Sequence, residues 1–321
     1  MNKKIILLSG APNSINSEII YKCWQKLSND LKQRIFVISN YNLLNEQFKL
    51  LRYKIKTSKV KNIFRSKLNR ELKIIDIDLK FKDPFKVSKK SASKFISKSL
   101  NLAHHFGMNA DVAGVINCPI DKNLLQKRKI GVTEILALKC NVKNDGEVMI
   151  IKNKNLMVSP ITTHVDIKSV SKKLNKKIIV KKISIINNWF KKKTKVKPKI
   201  GVLGLNPHNA ELNKLSEEKK IIIPAIKKLK NLGLKVTGPL VADTVFINEY
   251  KNYDVIVGMY HDQVLSPFKT LFKFDAINLT LGLKYIRVSS DHGIATDNIL
   301  LKKSNPISLL RCIEYVNEFC K

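Results

Sequence analysis

The chain has 321 residues, 44% of them hydrophobic, with 60 Lys or Arg against 25 Asp or Glu for a formal net charge of +35. That length exceeds one ordinary core and suits two domains, while apolar runs of strand length exclude a transmembrane helix, which needs about 20 residues. The charge invites a nucleic-acid partner, but the lysines are scattered with Ile and Asn through nearly every predicted element, as an AT-rich coding sequence would produce, so the reading is no nucleic acid and no membrane.

In chain order, Ile5 to Leu8 reads as a strand of a cytoplasmic protein, Asn16 to Leu27 as a helix and Arg34 to Ser39 as a strand. A basic, poorly patterned stretch follows, then a strand at Ile74 to Ile77 and a helix with an apolar stripe at Ala92, Phe95, Ile96 and Ala103. Val112 to Asn117 is a buried strand, Thr133 to Leu138 is helical, and Asn144-Asp145-Gly146 signals a hairpin. Ile167 to Leu174 reads as a helix, Ile200 to Leu205 as a strand, Glu217 to Leu232 as a helix stopped by Gly233, and Val255 to Tyr260 as a strand. A final helix, capped by Asn305 with Pro306 in its first turn, runs to the end. Strands alternating with helices imply parallel sheets with crossover helices.

Three segments share one form. Gly201-Val202-Leu203-Gly204-Leu205-Asn206-Pro207-His208, Val255-Ile256-Val257-Gly258-Met259-Tyr260-His261 and Met157-Val158-Ser159-Pro160-Ile161-Thr162-Thr163-His164 each run an apolar strand into a loop carrying His. A lone His after a strand is ordinarily a hydrogen-bonded loop residue, but half of the six His in this chain share the context. Loops at the carboxyl ends of strands are where open α/β sheets bind ligands. Three imidazoles there suit a divalent metal with positions left open for substrate. The five Cys form no CxxC pair and read as reduced thiols. No Walker A loop, complete GxGxxG or GxSxG elbow is present.

Gly204-Leu205-Asn206-Pro207-His208, Gly238-Pro239-Leu240-Val241-Ala242-Asp243-Thr244-Val245-Phe246, Met259-Tyr260-His261-Asp262-Gln263, and Asn278 to Leu283 through Ser290-Asp291-His292-Gly293 resemble the signature segments of the 4-hydroxythreonine-4-phosphate dehydrogenase family of vitamin B6 biosynthesis. The match is dense over residues 200 to 300, weaker over 110 to 170 and faint at the amino terminus. The resemblance implies two α/β/α domains around a cleft, like isocitrate and isopropylmalate dehydrogenases: 1–130 plus 300–321, and 131–299 carrying most metal and substrate residues. It implies NAD- or NADP-linked oxidation of 4-phosphooxy-L-threonine with decarboxylation, in a homodimer whose divalent metal (Zn, Mg or Co) lies at the subunit interface. His164, His208 and His261 match the metal ligands; Thr133, Lys269, Asn278 and Arg287 match the substrate contacts. His292, Gly293, Ala295 and Asp297 correspond, by analogy with the relatives, to a cofactor loop.

The residue types suit that chemistry. For hydride to leave a carbon bearing a hydroxyl, the oxygen must shed its proton and carry developing negative charge, which a metal on neutral imidazoles stabilises. Lys269 and Arg287 supply cations for phosphate or carboxylate, Arg through a bidentate fork. Asp243 and Asp262 are candidates for orienting a ligand or moving a proton.

Three departures stand out. Val132 replaces the family's His just before Thr133; the GDPAGIGPE-like amino-terminal loop reads Gly10-Ala11-Pro12-Asn13-Ser14-Ile15-Asn16-Ser17-Glu18; and the glycine-rich run after His208 reads Asn209-Ala210-Glu211-Leu212-Asn213-Lys214. The Val132 change raises an alternative substrate, a phosphorylated sugar acid such as 4-phospho-threonate. A basic, catalytically silent nucleic-acid-binding relative is the alternative of another class.

Overall fold

A computed structural model of the chain describes residues 3–66, 69–125, 131–142 and 146–319. Two compact units emerge, Met1–Cys140 with Leu283–Lys321, and Asn141–Gly282. The first unit carries β1 (Lys4–Leu8), α1 (Asn16–Lys26), α2 (Asn29–Arg34), β2 (Ile35–Ser39), α3 (Tyr41–Leu50), β3 (Thr57–Lys59), β4 (Leu72–Asp76), α4 (Lys89–Gly107), β5 (Val112–Asn117) and α5 (Val132–Lys139). The second carries β6 (Val148–Lys152), β7 (Met157–Thr162), α6 (Val170–Lys173), α7 (Lys176–Thr194), β8 (Ile200–Leu203), α8 (Ile223–Asn231), β9 (Val236–Leu240), α9 (Ala242–Val245), β10 (Val255–Tyr260), α10 (His261–Phe272) and β11 (Ile277–Leu281). The chain then returns to the first unit with β12 (Arg287–Ser290) and α11 (Ile307–Asn317).

In the first unit the strand order is β3-β4-β2-β1-β5-β12, and the paired strands run parallel. β1 and β2 are almost unbroken apolar runs because both faces of a parallel sheet are covered. Alternate residues divide between the faces: Ile6, Leu8, Phe36 and Ile38 pack with Phe95, Ile96, Leu100 and Ala103 of α4. Helix α11 lies against β1, β5 and β12, so close that a Cβ on Gly114 would stand 3.0 Å from Val316.

In the second unit the order is β11-β6-β7-β10-β8-β9. β6 is antiparallel to both β11 and β7, whereas β7, β10, β8 and β9 run parallel. Ile151, Val158, Leu203 and Ile256 form one core with Val264, Leu265 and Phe268 of α10. Helix α7 buries Ile179, Ile183, Ile186 and Phe190 and also contacts α8. The buried Lys182 Nζ donates to the Ile161 carbonyl at 2.9 Å, tying that helix to β7.

Several sequence expectations need adjustment. The units divide ten residues later and seventeen residues earlier than the expected boundaries at 130/131 and 299/300: α5 packs on α4, and β12 pairs with β5. Helices α2, α3, α7, α9 and α10 and strands β3, β9, β11 and β12 lie outside the expected elements. The hairpin expected at Asn144-Asp145-Gly146 falls mostly outside the described residues; the antiparallel turn that is described joins β6 to β7. The last helix begins at Ile307 with Asn305 Oδ1 accepting from the Ile307 N–H at 2.9 Å, and ends at Asn317. Among the described residues no helix is long and apolar enough to cross a membrane.

Candidate functional site

The three histidines leave the same edge of one sheet. β7, β10 and β8 are adjacent, and their registers, Tyr260↔Thr162 and Val257↔Val202, bring their carboxyl ends level. His164 follows β7 by two residues, His261 opens α10 directly after β10, and His208 lies five residues beyond β8. The rings of His164 and His261 stand 5.9 Å apart, centroid to centroid.

Local contacts hold that edge together. Thr162 Oγ1 donates to the Met259 carbonyl at 2.8 Å. Gln263 accepts from the Met259 N–H at 2.7 Å and donates to the Gly204 carbonyl at 2.7 Å, so one side chain joins the ends of β10 and β8. Gly258 is required beneath it, because a Cβ there would lie 2.6 Å from Val264 and 2.9 Å from Gln263.

The loop leading to His208 is organised by Glu218, which the sequence reading did not single out. Its carboxylate, buried completely, accepts from the N–H groups of Leu205 and Asn206, each at 2.8 Å, and from Asn206 Nδ2 at 3.0 Å. Burial alone would raise this carboxyl, but the hydrogen bonds from Asn206 and Leu205 prevail and hold it below the usual glutamate range. From His208 to Leu212 the backbone runs through five successive left-handed residues, an arrangement in which non-glycine side chains are strained.

Both candidate carboxylates lie beside candidate ligands. Asp262 Oδ1 is 2.6 Å from His261 Nδ1, a hydrogen bond that leaves Nε2 as the ring's other nitrogen. Asp243 Oδ2 stands 3.7 Å from His208 Nε2, within ion-pair range but beyond a hydrogen bond. Glu211 Oε1 is 3.8 Å from the other nitrogen of the same ring. His164 and His208 are exposed and His261 is half-buried. Among the described residues no group of three His, Cys, Asp or Glu is close enough to hold a metal ion. Imidazole donors suit a borderline divalent cation, and the sheet brings the three histidine-bearing segments to one edge without closing them into a cage.

In the same unit, Lys269 follows His261 by two turns of α10 and is half-buried. Asn278 is the second residue of β11, and its Oδ1 is buried with no hydrogen-bond partner among the described residues. A buried acceptor left open is an expensive feature in a fold and a usable one at a binding site.

In the first unit, two residues that the sequence separates by 154 positions meet. Arg287, buried as the first residue of β12, donates from Nη1 to Thr133 Oγ1 at 3.2 Å and from Nε to Asn117 Oδ1 at 2.8 Å. Burial lowers the guanidinium to about 10, opposed by the nearby Cys312, Tyr285 and Glu134, so Arg287 stays charged at neutral pH. Val132, the first residue of α5, packs half-buried against this unit's core. An apolar side chain therefore stands directly before Thr133.

The segment from His292 to Asp297 is a loop. His292 Nδ1 lies 3.0 Å from the Gly293 carbonyl, a Cβ on Gly293 would meet nothing within 4 Å, and Ala295 is left-handed. Asp297 sits exposed in a 3₁₀ turn. The Ile294 carbonyl accepts from the Ile15 N–H at 3.2 Å, which ties this loop to the atypical amino-terminal one.

Comparison with known proteins places these features in context. A model of the family described as pyridoxal phosphate biosynthetic protein PdxA matches residues 8–316. The 4-hydroxythreonine-4-phosphate dehydrogenase of Aquifex aeolicus is 35% identical over 324 residues, covering 99% of this chain and 98% of the relative. The crystal structure of the Klebsiella pneumoniae enzyme of the same name superposes with a TM-score of 0.85 at 27% identity, covering 99% and 100% of the two chains. Isocitrate dehydrogenase from Methylococcus capsulatus, at 9% identity and a TM-score of 0.51 over 98% of this chain and 85% of that one, shares the fold alone.

Proposed function

The chain belongs to the pyridoxal phosphate biosynthetic protein PdxA family and is an oxidoreductase acting on a CH–OH group, and on that premise we propose that it oxidises 4-phosphooxy-L-threonine with NAD or NADP and decarboxylates the product to 3-amino-2-oxopropyl phosphate. The observation that supports this reading best is the delivery of His164, His208 and His261 by three adjacent parallel strands to one sheet edge.

The three imidazoles would hold a divalent metal, zinc, magnesium or cobalt, which when bound supplies a Lewis acid for the substrate's hydroxyl oxygen. His292, Gly293, Ala295 and Asp297 would hold the adenosine part of NAD(P), which when bound would supply a hydride acceptor. The hydroxyl proton passes to a base, for which Asp243 and Asp262 are the candidates; the other task of Asp262 is to fix the ring orientation of His261. Arg287 and Thr133 would bind an anionic group of the substrate, with Lys269 and Asn278 as further contacts. Loss of carbon dioxide from the resulting β-keto acid leaves an enolate, which is then protonated. The working form is a cytoplasmic homodimer that completes the metal site from the open sheet edge.

A second reading, oxidation of a phosphorylated sugar acid such as 4-phospho-threonate, is favoured by Val132, whose apolar packing removes a hydrogen-bonding cation from beside Thr133. One assay separates the two. NADH formation is followed with purified protein, divalent metal and either substrate, with a chelator and His208→Ala as controls. Turnover on 4-phosphooxy-L-threonine, abolished by both controls, is expected. Turnover on 4-phospho-threonate alone would move the substrate, and none on either with metal bound would sink the proposal.

A further inference from the structure

We infer that Asn117 is a positioning residue for substrate binding: it sets the plane of the Arg287 guanidinium and so the direction in which that fork meets an anionic group. The inference rests on the reading of Arg287 as a substrate contact.

Asn117 closes β5 and Arg287 opens β12, neighbouring parallel strands in which Ser289 is the register partner of Asn117. Both side chains are buried, at 4% and 3% exposure, so their hydrogen bonds are not exchanged readily for water. The amide has a defined sense. Its Nδ2 donates to the Cys118 carbonyl at 3.1 Å, which turns Oδ1 toward Arg287 Nε at 2.8 Å. With Nε held by a strand residue and Nη1 held by Thr133 at the start of α5, two of the fork's positions are fixed by two different elements.

A guanidinium is planar, and its affinity for phosphate or carboxylate depends on two parallel N–H bonds lying in that plane. Rotation about the last side-chain torsion of Arg287 would leave its charge in place and lose that alignment. Asn117 prevents the rotation without contributing charge of its own. Its removal should therefore weaken ground-state binding of the anionic substrate far more than it slows the chemical step. NAD binding should not change.

The test uses the metal-loaded full-length enzyme, varying 4-phosphooxy-L-threonine and NAD separately, with calorimetric Kd for the substrate as a second readout. Asn117→Leu, which keeps the volume and deletes the acceptor, is expected to raise substrate KM and Kd about tenfold while kcat changes less than about threefold, the loss of one charge-assisted hydrogen bond. Asn117→Thr, which keeps an oxygen acceptor on a strand-forming side chain, is expected to stay within about threefold of wild type. Should Asn117→Leu not fold, Asn117→Ala carries the same comparison. Arg287→Lys tests the underlying reading. If Arg287→Lys raises substrate KM and the acceptor-free Asn117 variants do not, the inference fails and the reading of Arg287 stands. If Arg287→Lys leaves substrate KM unchanged, both fall. An equal rise in the KM for NAD on loss of the acceptor would mean general distortion and would also overturn the inference.

Discussion

Asp262 follows His261 in sequence and also holds its ring at 2.6 Å. A carboxylate on one imidazole nitrogen raises the basicity of the other and fixes its direction, and losing such a partner lowers metal affinity about 10- to 100-fold. Asp262→Asn should show that loss in a chelator competition titration with its thermal midpoint nearly unchanged, since the side chain is exposed; unchanged affinity would remove Asp262 from this role. Glu218 makes a prediction of opposite character. Its carboxyl lies below the ordinary value in the folded chain, so the stability it contributes is present above the unfolded pKa of about 4.3 and is lost as pH falls through the lower folded value. The thermal midpoint of wild type should therefore drop more steeply below about pH 4.3 than that of Glu218→Gln, which should already be less stable at neutral pH. Parallel curves would show that the hydrogen bonds to Leu205 and Asn206 contribute nothing. Neither Glu218 nor Asn117 was legible in the sequence, because their partners are backbone groups and side chains chosen by folding. Asp243 and Asp262 were legible because they sit inside recognisable segments.

Among the elements, those with a strong local pattern were readable. β1, β2, β5, β8 and β10 coincide with apolar runs bounded by polar loops, and α4 with its apolar stripe. Helix α7 has a local signature of its own: Asn175 caps it by accepting from the Ile178 N–H, and Ile179, Ile183, Ile186 and Phe190 recur at helical spacing. Eleven polar residues, seven of them lysine, stand before, among and after these positions and mask the period. Helix α10 is harder, since Pro267 stands inside it. Its packing gives a clear expectation: Phe268 is fully buried in the second unit's core, and Phe268→Ala should cost about 3–5 kcal/mol in denaturant unfolding. Gly204 tests the link from element to site. A Cβ there would collide with Asn209 Oδ1 and lie 3.1 Å from Glu218 Oε1, so Gly204→Ala should displace the His208 loop. Metal affinity should fall about tenfold or more with far-ultraviolet dichroism unchanged; unaltered affinity would separate the loop from the site.

At the scale of the whole molecule, the charge of +35 has a use even as compositional drift. A cationic surface raises the local concentration of a doubly charged phosphate ester, and salt screens that attraction over a Debye length of about 10 Å at 0.1 M. For 4-phosphooxy-L-threonine, kcat/KM should fall severalfold as ionic strength rises, while kcat holds; a flat profile would assign the lysines no part in substrate capture. The α/β class, the three strands that each lead to a His and the family resemblance were legible in residue type and spacing, because side-chain period and motif chemistry are local properties, whereas the loop expected at His261 is the first turn of α10. Only the tertiary structure decided that β7, β10 and β8 are neighbours, that Arg287 meets Thr133 and Asn117, that α5 and β12 join the first unit, and that the three imidazoles share an edge without forming a closed cage. The reason is physical: strand order and register are selected by burial and hydrogen bonding between segments far apart in the chain, and no single segment encodes which partner will give the lower free energy.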